Sequence, residues 1–232
     1  MARIRGLSTG ITAELGHQIV SGELAEGDSF RLQDISSKFG VSVTVARETM
    51  LALQNKGLVL VRPRRGITVL ARDSWDLLDN DVLRWHDHHV GPIVADLEQA
   101  REVMEPWAAR TAAESGSLEN IARCREAMDN LTAATNSGDT DGMTAADLAF
   151  HRSILRASGN SVIAQIGRVI EPALKRRDEL TLNERKKDDR AFLPLHEDLV
   201  AAIEQRQPEK AHRAALRLIR ESGTDSAQAF KP

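Results

Sequence analysis

Residues 32–69, LQDISSKFGVSVTVARETMLALQNKGLVLVRPRRGITV, place two short helical patterns around Gly40-Val41-Ser42 and close on two β-branched runs joined by basic residues. Few folds accommodate that order. The first pattern predicts a helix over Leu32–Phe39, and Gly40 supplies the tight turn. Ser42 is placed to cap the next helix, with Val41 and Ala46 spaced as a hydrophobic staple across the cap. This third helix should run to about Asn55 and end at Gly57. Upstream, Ile11, Leu15 and Ile19 give Thr9–Val20 helical spacing, stopped in the Gly22 and Gly27 region.

Ala46, Met50 and Leu53 share one face of the third helix, so Val43, Thr44 and Arg47 project from the other. Beyond Gly57, Leu58–Val61 and Ile67–Leu70 read as strands joined by Arg62-Pro63-Arg64-Arg65-Gly66. The combination describes a winged helix-turn-helix, whose second helix meets base edges in a DNA groove. An arginine there bonds guanine O6 and N7 together, worth roughly 1–3 kcal/mol of discrimination. Arg47 is the expected base reader, and the hairpin arginines the phosphate contacts. The competing reading is a helix pair and hairpin packed for stability, with its arginines merely solvated.

A formal charge of -3 argues against nucleic acid until it is divided along the chain. Residues 1–70 hold nine Arg/Lys against six acids, so the first 70 residues carry +3 and the remainder -6. The single cysteine, Cys124, excludes an internal disulfide framework and reads as a small buried helix residue. The N-terminus lacks the apolar core of a signal peptide and no run of about 18 apolar residues occurs. A soluble, cytoplasmic chain with no membrane partner is expected.

The remainder predicts helices over Trp75–His89, Pro92–Ser115, Leu118–Ser137, Gly142–Ala157, Ser161–Lys187, Ala191–Gln207 and Pro208–Ala229, with bends at Pro106 and Pro172. The fold class is therefore mainly α: a winged helix-turn-helix over 1–72, an inter-domain helix over 73–90, and an all-helical antiparallel bundle over 91–232. Three groups of polar residues fall on apolar faces of that bundle. Arg101 shares a stripe with Val94, Leu97, Met104 and Ala108; Asp147 and His151 precede Ile154 and Leu155; His196 accompanies Leu199, Val200 and Ile203. A cavity lined by them suits a small acid, with Arg101 as the carboxylate fork. Alternatively Arg101 pairs with Glu98 or Glu105, and His196 bonds a backbone carbonyl. The run His86-Asp87-His88-His89 reads as solvated surface.

Phe39-Gly40-Val41-Ser42-Val43-Thr44-Val45-Ala46-Arg47-Glu48 is similar to the F-G-V-S-R-x-x-V-R-E phrase of the GntR family of bacterial transcription regulators. Val43 stands where that family has its first recognition arginine, and Ser29-Phe30-Arg31-Leu32 replaces its Leu-Pro-Ser-Glu. Further along, Arg101-Glu102-Val103-Met104-Glu105-Pro106-Trp107-Ala108-Ala109-Arg110, Asp147-Leu148-Ala149-Phe150-His151 and His196-Glu197-Asp198-Leu199-Val200-Ala201-Ala202-Ile203 resemble phrases of the all-helical FCD effector domain of the FadR-type subgroup. The resemblance spans essentially the whole chain. It implies DNA contacts by Arg31, Gln33, Ser42, Val43, Thr44, Arg47, Arg62, Arg64, Arg65 and Gly66, with Val43 packing on a thymine methyl. It implies effector contacts by Arg101, Asp147, His151 and His196.

Many such domains hold a divalent metal such as Zn or Ni through an aspartate and three histidines, here Asp147, His151 and His196. The expected third histidine position is Leu218, and His212, six residues earlier, lies about 240° around the same helix. Three ligands would remain, completed by water or an effector oxygen. The segment Trp75–Trp85 resembles the inter-domain helix of regulators of sugar-acid catabolism, implying an effector such as galactonate or gluconate. The function implied is a homodimeric repressor, not an enzyme, released from double-stranded operator DNA by a small carboxylic acid. The alternatives are a metal-dependent enzyme of small acids fused to a DNA-binding domain, and a nonspecific architectural DNA binder.

Overall fold

A computed structural model describes residues 2–62, 65–86, 91–181 and 192–229. The chain divides into two compact units, residues 1–89 and 90–232.

In the first unit α1 (Ala2–Val20) is followed by β1 (Ser29–Phe30), α2 (Leu32–Phe39), α3 (Val43–Asn55), β2 (Val59–Arg62) and β3 (Gly66–Val69). Gly40 takes the left-handed conformation (φ 62°) at the end of α2, and the Ser42 hydroxyl accepts a hydrogen bond from the Val45 amide at the start of α3. The turn and the cap are thus where the glycine and serine require them. Ile11, Leu15 and Ile19 of α1 pack with Ala46, Met50 and Leu53 of α3 over a core closed by Val59, Ile67 and Val69. The hairpin is antiparallel, with Arg62 opposite Gly66, and β3 also pairs with β1. That short third strand was not expected from the sequence.

The expected helix over Trp75–His89 is corrected. A 3-10 turn (Arg72–Ser74) precedes an irregular stretch, and α4 runs only over Asn80–Trp85. Asp79 explains the late start: its carboxylate accepts from the Asp81 and Val82 amides, so the helix begins after it. Lys56, which caps the end of α3, reaches both Asp79 (2.7 Å) and Asp81 (2.8 Å) and lies 5.7 Å from the Trp85 ring centroid. Val82 and Trp85 join the core of the first unit, so this segment is part of that unit rather than a separate brace. His86 is also corrected: it is buried, with Nδ1 2.8 Å from the Val82 carbonyl oxygen. His88 and His89 lie outside the described residues.

The second unit contains α5 (Gly91–Ser115), α6 (Leu118–Ser137), α7 (Thr140–Ala157), α8 (Ser161–Thr181), α9 (Phe192–Glu204) and α10 (Pro208–Ala229). Both α5 and α8 continue through their prolines, Pro106 and Pro172. Helix α5 packs against α7, α9 and α10, and α6 against α7 and α9. Small residues permit this closeness: Ala108, Ala109, Ala112, Ala211 and Ala215 are all buried in one core with Phe150, Leu199 and Leu218. Cys124 lies in the same core, and burial pushes its thiol pKa up.

Two glycines with positive φ separate backbone strain from steric exclusion. At Gly57 (φ 73°) an added Cβ would run into the Ser74 carbonyl, whereas at Gly22 (φ 82°) it would meet open space. Gly22→Ala should cost about 1–2 kcal/mol, the left-handed strain alone. Gly57→Ala should cost clearly more in urea unfolding, because the turn beneath α3 must shift; equal losses would show that the Ser74 contact yields freely.

Candidate functional site

Most of the residues expected to contact DNA are exposed on the first unit. Val43 is 42% exposed, Thr44 and Arg47 are exposed, and Val45 and Ala46 beside them are buried, as the helical spacing predicts. Arg31, Gln33, Arg47, Arg62 and Gly66 line one groove of about 720 Å³ between α3 and the hairpin. Ser42 spends its hydroxyl on the cap, and Arg65 is exposed at the hairpin tip, while Arg64 lies outside the described residues. Two residues of this face were missed in the sequence. Leu51, one turn beyond Arg47, is 49% exposed in the groove, and the Gln54 side-chain oxygen accepts from the Val61 amide (3.0 Å), tying the hairpin to α3. The i, i+4 spacing from Arg47 signals Leu51; the Gln54 contact has no local signal.

The second unit brings Asp147 and His151 of α7 to His196 of α9, with their donor atoms all within 4.8 Å of one another. His196 Nε2 lies 3.0 Å from Asp147 Oδ1 and His151 Nε2 lies 3.8 Å from Asp147 Oδ2. Each histidine's other nitrogen is engaged. His196 Nδ1 donates to the Phe192 carbonyl (2.9 Å) and His151 Nδ1 to Glu105 Oε2 (2.6 Å). With oxygens accepting at both Nδ1 atoms, both Nε2 atoms face Asp147, an arrangement in which outer partners orient imidazoles toward a cation. The histidines are buried and Asp147 is partly exposed, so the carboxylate marks the accessible side.

Arg101 requires a correction. Its side chain is fully buried, with Nε 2.6 Å from Glu105 Oε1 and Nη1 3.2 Å from Glu98 Oε1 and Oε2. The guanidinium is therefore engaged by carboxylates of its own helix rather than presented as an open fork for an acid. Burial alone would raise the Glu105 pKa, but the positive charge of Arg101 and the contact with His151 outweigh it and hold the carboxyl at about 2. Glu105 was missed as part of the centre because its i, i+4 spacing from Arg101 accounts for it locally. Leu218 is buried among apolar side chains, and half-buried His212 does not join the cluster.

A winged helix with an exposed second helix of its helix-turn-helix, followed by a helical unit with a convergent Asp/His centre, defines a DNA-binding protein with a separate ligand domain. Residues 7–69 match the model of the bacterial regulatory proteins of the gntR family, and residues 96–221 match that of the FCD domain. The chain belongs to this family of transcription regulators. It is 28% identical over 215 residues to the galactonate operon transcriptional repressor of Escherichia coli, covering 91% of this chain and 93% of that one. It is 31% identical over 137 residues to the Uxu operon transcriptional regulator of Escherichia coli, covering 59% and 52%. Among solved structures it resembles that of Lar, which controls the expression of the Listeria monocytogenes agr system, with a TM-score of 0.66, 14% identity and coverage of 95% and 96%. No described helix is long and apolar enough to cross a membrane.

Glu105→Gln should destabilise the protein by about 3–5 kcal/mol at neutral pH, because Arg101 would keep a buried charge with one carboxylate fewer. A carboxyl whose pKa is depressed on folding contributes stability above its ordinary value near 4.5, and that contribution is lost as pH falls towards 2. The difference between wild type and Glu105→Gln in urea unfolding should accordingly shrink across that window; a constant difference would contradict the depressed pKa.

Proposed function

We propose that this regulator is a repressor, working as a homodimer on double-stranded operator DNA and released by a small carboxylic acid of the sugar-acid class, such as galactonate or gluconate. The observation that carries this reading is the convergence of Asp147, His151 and His196, with both Nδ1 atoms engaged behind them. The likeness to the galactonate operon repressor over 91% of the chain supports the choice of acid. A dimer would match two reading helices to the half-sites of a palindromic operator.

Within each protomer, Arg47 and Thr44 read bases, Val43 packs on a thymine methyl, and Arg31, Gln33, Arg62, Arg64 and Arg65 hold the backbone. Asp147, His151 and His196 fit a divalent cation such as Zn or Ni as three ligands, with Leu218 supplying no fourth. Such an ion, when bound, offers positive charge to the carboxylate and hydroxyl oxygens of the acid. Arg101 is a positioning residue here: it anchors Glu105, which orients His151. Release of DNA requires that the acid bind two conformations of the protein with different affinity.

On a duplex selected from a random pool, Arg47→Ala should weaken binding by about 1–3 kcal/mol while leaving binding to unselected DNA nearly unchanged. Equal weakening of both would remove the base-reading role. In thermal-shift titrations with galactonate and gluconate, with and without Zn or Ni, a ligand at about 100 times its Kd should stabilise wild type by about 2.7 kcal/mol. Asp147→Asn should abolish that shift. A wild-type protein indifferent to every such combination would overturn the sugar-acid reading.

A further inference from the structure

The groove between α3 and the hairpin has a composition that duplex DNA alone does not explain. Its floor is apolar, with Leu32, Leu51 and Val61 partly exposed over buried Met50 and Ile67. Arg31, Arg47 and Arg62 form its rim and no acidic residue lines it. The Arg31 backbone amide donates to Asp34 (2.6 Å), which leaves its guanidinium for the groove. At about 720 Å³ it falls in the roughly 300–1,000 Å³ range of small-molecule sites, which combine mostly apolar walls with a few convergent polar groups.

The groove is built into the fold. Gln54 bonds the Val61 amide at 3.0 Å, fixing β2 against α3. Gly66 lets β3 approach β1, since an added Cβ there would lie 3.0 Å from the Phe30 carbonyl oxygen. A phosphodiester backbone would satisfy the arginines but offers little apolar surface to the floor. A molecule with an apolar body and an anionic end would satisfy both.

We propose that this groove is a binding site for apolar carboxylates, of the aryl carboxylate class, whose occupation excludes DNA because Arg47 and Arg62 serve both ligands. The aromatic body lies over Leu51, and the carboxylate takes the guanidinium fork, which also stacks on planar rings. The exclusion of DNA rests on the DNA-reading role assigned above; the binding site itself does not. This site is separate from the Asp147–His151–His196 centre, whose polar donors suit hydroxylated acids.

The probe is 2-naphthoate, titrated into the full chain by calorimetry and followed by its own fluorescence. Wild type should bind one equivalent saturably. Leu51→Glu should weaken binding at least tenfold, with an unchanged melting temperature because Leu51 is half exposed, and Arg62→Ala should weaken it as well. No saturable binding, or equal affinity in Leu51→Glu, overturns the proposal. Selected duplex DNA should displace the probe. Binding that is lost in Leu51→Glu yet survives saturating DNA would uphold the pocket and instead refute the DNA-reading role of this face.

Discussion

The second unit is organised around a guanidinium that has no contact with water. Arg101 is the largest fully buried side chain described, and a buried charge is tolerated only where partners replace its hydration. Glu98 and Glu105 supply them from the same helix. Glu105 has two oxygens and uses the second for His151 on α7; His151 and His196 then face Asp147, drawing in α9. One buried cation thereby sets the register of α5, α7 and α9 at the same place. The Asp/His centre inherits its geometry from that chain of contacts, rather than from loops free to rearrange.

A related device operates in the first unit with a cation that is only partly buried. Lys56 ends α3, and Asp79 and Asp81 open α4, so a single ammonium joins the reading helix to the segment leaving the unit. Desolvation opposes the charge, but both carboxylates together raise the Lys56 pKa. Trp85 completes the attachment by packing its ring against Gly16 of α1, where no side chain would fit. Lys56 and Trp85 thus hold α4 against α3 and α1.

Much of this was legible in the sequence, for identifiable reasons. Gly40 and Ser42 act within four residues of themselves, so the turn and cap follow from local chemistry, and the 3.6-residue period exposes Val43, Thr44 and Arg47 whatever packs behind them. Asp147, His151 and His196 were visible as polar residues on apolar faces, which forces them to find partners. The failures are of another kind. Trp75–Asp79 has apolar residues at spacings that mimic a helix, but Asp79 ends that possibility by capping its successors. The strand Ser29–Phe30 is too short to show a period, and Glu105 looked satisfied by Arg101 because spacing cannot show which of two carboxylate oxygens faces another helix.

The division of charge bears on how selective such a protein can be. A positive excess of three in the first 70 residues favours a polyanion there, and the -6 on the remainder disfavours one on the second unit. Each phosphate neutralised contributes a factor that salt erodes, so binding to unselected DNA through these arginines falls as ionic strength rises. With Val43 in place of an arginine, the reading helix holds only one guanidinium among Val43, Thr44 and Arg47. On the function proposed above, discrimination rests on a small number of base contacts near Arg47, which lies on the rim of the groove that Leu51 floors. On that reading the residues that set sequence preference are the same ones that border the groove proposed for apolar carboxylates.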